Sequence, residues 1–169
     1  LRESTVVRLR VLADNVPQMH VFCYSAVGSD LLSGVEEQHD MRVLAVGDDI
    51  GFRQITNNAR RITSPSDMRG LNMRTVLEII SLSMEAFGAS TVSIPFTYLY
   101  MALKTGVADG QENPLALIDN QKFYEVQKYC SIINYMFFEE VMYVNKTWYE
   151  SPPDEYPTNL DEEPRNTYN

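Results

Sequence analysis

An α/β fold is expected for this chain, a parallel or mixed sheet covered by helices on both faces. Three observations predict it. Apolar runs of strand length alternate with stretches of helical period. Glycine and proline fall where helices would end or begin, at Gly88, Gly106, Pro95 and Pro114. The composition, 44% hydrophobic over 169 residues, suits one domain with a proper core and excludes a disordered or fibrous class.

Residues 29 to 39 begin polar and continue with apolar positions at helical spacing, predicting a helix. Met41-Arg42-Val43-Leu44-Ala45-Val46 then reads as a buried strand stopped by Gly47-Asp48-Asp49. Leu71-Asn72-Met73-Arg74 is a short strand, Leu77 to Phe87 an amphipathic helix ended by Gly88, and Thr91-Val92-Ser93 a further strand. Pro95 opens a helix running to about Thr105. A strand at Val107 to Gln111 precedes a helix from Pro114 to about Asn120, and Tyr129 to Ile133 and Val141 to Val144 read as two separate strands. Val6 to Leu12 is a candidate strand, whereas the apolar stretch around Val21 to Tyr24 has no clear place. From Ser151 the chain turns to proline and acid, Pro152-Pro153-Asp154-Glu155 and Asp161-Glu162-Glu163-Pro164, with almost nothing to bury, so residues 151 to 169 read as a loose tail.

The net charge of −9 and pI near 4.7 argue against a polyanion partner, and no nucleic acid is expected. The charge is unevenly spread. Between residues 51 and 75, Arg53, Arg60, Arg61, Arg69 and Arg74 face only Asp67, five cations against one acid, or +4. A small anion would be drawn there. Cys23 and Cys130 lack the spacing of a zinc site or a disulfide framework and read as two buried thiols. His20 and His39 are isolated, and neither a metal nor a cofactor is expected. No apolar run approaches the roughly 20 residues needed to cross a bilayer. The start, Leu1-Arg2-Glu3-Ser4, has neither an initiator Met nor a signal-like segment, so a processed or partial chain is expected.

In α/β sheets ligands gather beyond the carboxyl ends of the strands, and the polar motifs of this chain fall on such junctions. Arg74 ends its strand; alternation puts Leu71 and Met73 on one face and Asn72 and Arg74 on the other. A guanidinium there can grip a carboxylate through two parallel hydrogen bonds, although on the residues alone a surface arginine paired with a nearby acid is the simpler account. Arg53, in Gly51-Phe52-Arg53-Gln54, is a second candidate, or else a hinge arginine bonded to backbone carbonyls. Asn113 stands where a strand meets a helix start; its amide could reach a ligand or cap the helix. Phe96 is either an apolar wall for a ligand or an ordinary core aromatic. Arg60, Arg61 and Arg69 read as solvated turn residues. Glu112, a lone carboxylate without a partner acid or nucleophile, is weak support for catalysis. The tyrosines, Tyr98, Tyr100 and Tyr135 among them, read as packing residues with polar tips at the surface.

Asp109-Gly110-Gln111-Glu112-Asn113-Pro114, followed by Lys122-Phe123-Tyr124-Glu125-Val126-Gln127-Lys128, resembles the signature of the substrate-binding subunits of TRAP transporters, the DctP family. The likeness extends through Gly51 to Asn58, Met68-Arg69-Gly70-Leu71-Asn72-Met73-Arg74 and Pro95 to Leu103, covering about residues 28 to 146. It implies a periplasmic-binding-protein-like (type II) two-lobed fold, incomplete at both ends. Residues 1–50 would be part of the first lobe, 51–137 the second lobe with the ligand motifs, and 138–150 a return to the first. It implies capture of a small organic acid, a C4-dicarboxylate or sugar acid, and its delivery to a membrane permease in the periplasm, with no catalysis. Arg74 matches the arginine of the family motif G-L-x-x-R that holds the ligand carboxylate; Arg53, Asn113 and Phe96 match further ligand contacts. Two departures touch the ligand's identity: Tyr98 stands where many relatives carry an acid, and Thr75 where a proline is frequent. A carboxylate-processing α/β enzyme using Glu112, and a ligand-sensing domain on the same fold, are the alternatives.

Overall fold

A computed structural model of the chain describes residues 15–151. The candidate strand at Val6 to Leu12 and the tail beyond Ser151 lie outside the described residues. In chain order the elements are α1 (Val16–Cys23), α2 (Ala26–His39), β1 (Met41–Asn57), β2 (Asn72–Thr75), α3 (Glu78–Ala86), β3 (Ser90–Ser93), α4 (Leu99–Thr105), β4 (Gly110–Pro114), α5 (Leu115–Asn120), β5 (Tyr129–Asn145) and α6 (Lys146–Glu150). Short 3-10 turns occupy Pro65–Met68, Phe96–Tyr98 and Phe123–Glu125. The chain divides into two compact units, one of residues up to Gly51 and from Phe137 onward, the other Phe52–Met136.

In the first unit the apolar stretch around Val21 to Tyr24 lies in and just after helix α1. Ser25 caps α2, its hydroxyl accepting from the Gly28 amide at 3.3 Å. Asp40 takes the left-handed conformation that ends α2 (φ 49°), and its carbonyl accepts from the Lys146 amide at 2.9 Å. Tyr24 donates to the carbonyl of Val46 at 2.8 Å, above the buried run Leu44–Val46.

The second unit carries the candidate site. The strand order is β3-β2-β4-β1-β5, with β2 parallel to β3 and β4, and β1 antiparallel to β4, so the sheet is mixed. The parallel strands are linked through α3 and α4, as crossovers require. One face packs Ile55 and Met73 against Leu71, Ile80 and Met84. The other, carrying Val92, packs against Leu99, Leu103, Ile118 and Phe123. Gly110 is required where β4 threads between β1 and β2. A Cβ there would lie 2.3 Å from the Thr56 carbonyl oxygen and 3.0 Å from Met73 Sδ.

Several boundaries differ from those read in the sequence. β1 does not stop at Gly47-Asp48-Asp49; it continues to Asn57, because Arg53 to Asn57 pair with Pro114 to Gly110, and Gly51 supplies a positive φ of 70° on the way. The two strands expected at 129–133 and 141–144 are one, β5. Its irregularity is at Asn134 (φ 48°), where Gln54 Oε1 accepts from the amides of Ile133 and Asn134 at 2.8 and 3.0 Å. A side chain thus satisfies both donors at the irregularity. β4 begins at Gly110 rather than Val107, since residues 107–109 form the turn after α4. The helix expected to open at Pro95 is a 3-10 turn followed by α4, closed by Gly106 (φ 76°). Cys130 is exposed rather than buried.

Candidate functional site

The register of the sheet determines which side chains share a face. Arg53, opposite Pro114, and Ile55, opposite Glu112, lie on one side. Asn113 and Gln111, opposite Gln54 and Thr56, lie on the other. Arg53 runs diagonally to Glu112 and forms a two-point ion pair. Its Nε donates to Glu112 Oε2, and its Nη2 donates to Oε1 at 2.9 Å and to the Glu112 carbonyl at 2.9 Å. The same Nη2 reaches Asn113 Oδ1 at 2.8 Å. Tyr135 donates its phenol to Glu112 Oε2, so both carboxylate oxygens carry hydrogen bonds. Arg53 and Glu112 are buried.

Burial alone would lower the Arg53 pKa, yet the charge and hydrogen bonds of Glu112, aided by Tyr135, raise it above the ordinary guanidinium value. Tyr135 is held well above the usual phenol range, by burial first and by the adjacent Glu112 second, so it remains a neutral donor.

Arg74 has a different environment. It is the penultimate residue of β2 and 1% exposed, one residue along from Met73, which pairs with Gly110. Its Nε donates to the Ile94 carbonyl at 2.8 Å, and its guanidinium lies 5.7 Å from the centroid of the Phe96 ring. Its Nη2 is buried without a hydrogen-bond partner. A buried unsatisfied donor is costly, more so when charged. Burial lowers the Arg74 pKa, an effect that the Glu112 charge opposes and the Arg53 charge reinforces. Phe96 is exposed at 38% and meets Phe123 edge to face at 6.0 Å; it is not a core residue.

Asn113 sits in β4 and does not cap α5, whose N-cap is Pro114. Its Nδ2 donates to Gln111 Oε1, Gln111 Nε2 to Thr56 Oγ1 at 2.8 Å, and Thr56 Oγ1 to Gln127 Oε1 at 3.0 Å. Arg60, Arg61 and Arg69 are exposed in the turns around Pro65.

The model of the bacterial extracellular solute-binding proteins, family 7 (DctP), matches residues 2–167. The chain belongs to the DctP family. It is 33% identical over 162 residues to the C4-dicarboxylate-binding periplasmic protein DctP of Rhodobacter capsulatus, covering 95% of this chain and 48% of that protein. Over 131 residues it is 30% identical to the 2,3-diketo-L-gulonate-binding periplasmic protein YiaO of Escherichia coli K12, covering 77% of this chain and 39% of that one. Its fold is similar to the crystal structure of a TRAP periplasmic solute-binding protein from Sulfitobacter sp. NAS-14.1 with bound β-D-galacturonate, at a TM-score of 0.89 and 25% identity. That match covers 99% of this chain and 55% of the other. The chain therefore spans about half the length of the relatives it matches, or less. Its mixed α/β architecture is the periplasmic-binding-protein-like fold of those proteins.

In this DctP-family chain, two polar residues escape a reading by motif. Tyr135 looks like one more packing aromatic, and its contact with Glu112 spans 23 residues. Gln54 is marked only by its place beside Arg53, on the face of β1 that it shares with Thr56. The alternation of Gln111 and Asn113 at strand spacing was the available sign that polar side chains share a covered face.

Proposed function

We propose that this chain forms the ligand-capturing part of a TRAP-type solute-binding protein. It takes up a small organic acid, a C4-dicarboxylate or sugar acid, in the periplasm and hands it unchanged to a membrane permease. The observation that carries the reading is Arg74. A guanidinium with one nitrogen buried and unbonded, at the carboxyl end of a parallel strand and beside an exposed aromatic ring, suits an incoming carboxylate. In this reading Arg74 grips the carboxylate, Phe96 walls the carbon chain, and Arg53 and Asn113 complete the polar side. The names of the relatives support it: C4-dicarboxylate, 2,3-diketo-L-gulonate and galacturonate are all carboxylates.

A thermal-shift screen of organic acids tests the proposal, because a bound ligand stabilises the native state in proportion to ln(1+[L]/Kd). An acid should raise the melting temperature of the parent and leave Arg74→Ala unshifted while that variant remains folded. Consumption of the acid would favour an enzyme instead.

A further inference from the structure

We propose that Thr75 and Ser81 are positioning residues for Arg74, and that their paired hydroxyls hold in place the Ile94 carbonyl that orients the Arg74 guanidinium. The inference rests on the capture reading above and deepens it. Among the described residues one hydrogen bond, from Nε to the Ile94 carbonyl at 2.8 Å, orients that guanidinium. Its contact with the Phe96 ring, itself exposed, fixes direction less closely. Where Arg74 points is therefore decided by where the Ile94 carbonyl stands.

Ile94 lies one residue beyond β3, at the end of a β2–β3 ladder whose last pair is Thr75 with Ser93. Its amide donates to the Thr75 carbonyl at 3.4 Å, longer than the about 2.9–3.0 Å typical of such bonds, so the backbone alone holds this end weakly. Side chains reinforce it. Thr75 is buried, and its hydroxyl shares a hydrogen bond of 2.7 Å with that of Ser81, near the start of α3. Ser81 Oγ also reaches the Leu77 carbonyl at 3.4 Å, and the Ser81 amide donates to the same carbonyl at 3.1 Å. The end of β2 is thus tied across Val76-Leu77 to the helix that follows it. An arginine aimed before the ligand arrives loses less freedom on binding. Without the hydroxyl pair the last rung opens more often, and the ligand itself has to order Arg74.

The test joins two measurements on the full chain. Exchange of the Arg74 Nε proton with water is followed by NMR on ligand-free protein, the signal being assigned by its loss in Arg74→Lys. Titration calorimetry with succinate and with galacturonate gives affinity. Thr75→Val keeps the shape and removes the hydroxyl. It should speed the exchange about threefold or more and weaken binding by about three- to tenfold, the cost of ordering one long side chain on binding. Its melting temperature should stay within about 4 °C of the parent. Ser81→Ala should do the same, and Thr75→Ser should restore both values. Parental exchange and affinity in folded Thr75→Val and Ser81→Ala would overturn the proposal, as would weaker binding with unchanged exchange, which a merely structural role would give. A loss that Thr75→Ser does not restore would overturn the hydroxyl as its cause. Should Thr75→Val not fold, Ser81→Ala decides. Binding of neither acid would count against the capture reading, and the exchange rate would then decide the positioning on its own.

Discussion

Tyr135 donates its phenol hydrogen to Glu112, the carboxylate that also holds Arg53. One buried acid thus orients a guanidinium from one side and is itself oriented by a phenol from the other. Such a group is costly to leave half-satisfied.

Tyr135→Phe removes the hydroxyl and little else. With Arg53 still paired, the loss should be that of one hydrogen bond to a charged acceptor, about 1.5–3 kcal/mol in urea unfolding. A change below about 0.5 kcal/mol would mean that water takes the place of the phenol.

Glu112→Ala is the harsher change, because it leaves Arg53 buried without its counter-charge. Destabilisation of about 3–5 kcal/mol is expected, seen as a lower urea midpoint. Arg53→Met combined with Glu112→Leu should recover much of it, since a matched apolar pair can replace a buried ion pair.

Arg74 should behave in the opposite way. Its unbonded Nη2 contributes nothing to the fold without ligand, and relief of that buried charge offsets the loss of the Nε bond to the Ile94 carbonyl, so Arg74→Met should unfold close to the parental urea concentration. Destabilisation of about 2 kcal/mol or more would show that the guanidinium serves packing.

Asp67 governs a small part of the acid limb. The amide and hydroxyl of Thr63, with those of Ser64, donate to its carboxylate and lower its pKa to about 2. A folded-state value below the unfolded one means stability that is present above the usual carboxylate range and lost as pH falls toward 2. Asp67→Asn should therefore flatten the acid side of the stability profile by lowering stability at neutral pH, with parent and variant converging as pH falls toward 2.

Gly110→Ala tests the placement of β4. The added methyl would meet backbone and side-chain atoms at 2.3 to 3.0 Å, and overpacking of this kind costs about 1–3 kcal/mol. Because Gln111, Glu112 and Asn113 follow directly, ligand affinity should fall along with the melting temperature.

Helices α2, α3, α4 and α5 and the β2 strand were legible because local period and punctuation agreed, whereas α1 and α6 were not read from the sequence. Leu77 to Phe87 has the spacing and Gly88 the stop, and Leu71 and Met73 alternate into the apolar face as expected. The length of β1 was not legible. Gly47, Asp48, Asp49 and Gly51 are turn-forming residues, yet the strand runs on past them to Arg53–Asn57, which pair with Pro114 to Gly110 far along the chain. β5 was split for a related reason: the device that keeps it continuous at Asn134 is the distant side chain of Gln54. At the site, motif and strand position pointed to Arg53, Arg74, Asn113 and Phe96. What motif reading missed is the partnership of Glu112 with Arg53 and Tyr135, because residues on separate strands become neighbours only through register.

The most direct measurement is calorimetric titration of an organic acid that binds the parent, repeated on folded Arg74→Met. Truncating one partner of a buried, hydrogen-bonded charge pair costs about 2–5 kcal/mol, so affinity should fall by about 30-fold or more while the unfolding midpoint holds. Equal affinity in parent and variant would contradict the assignment of Arg74 as the residue that receives the carboxylate.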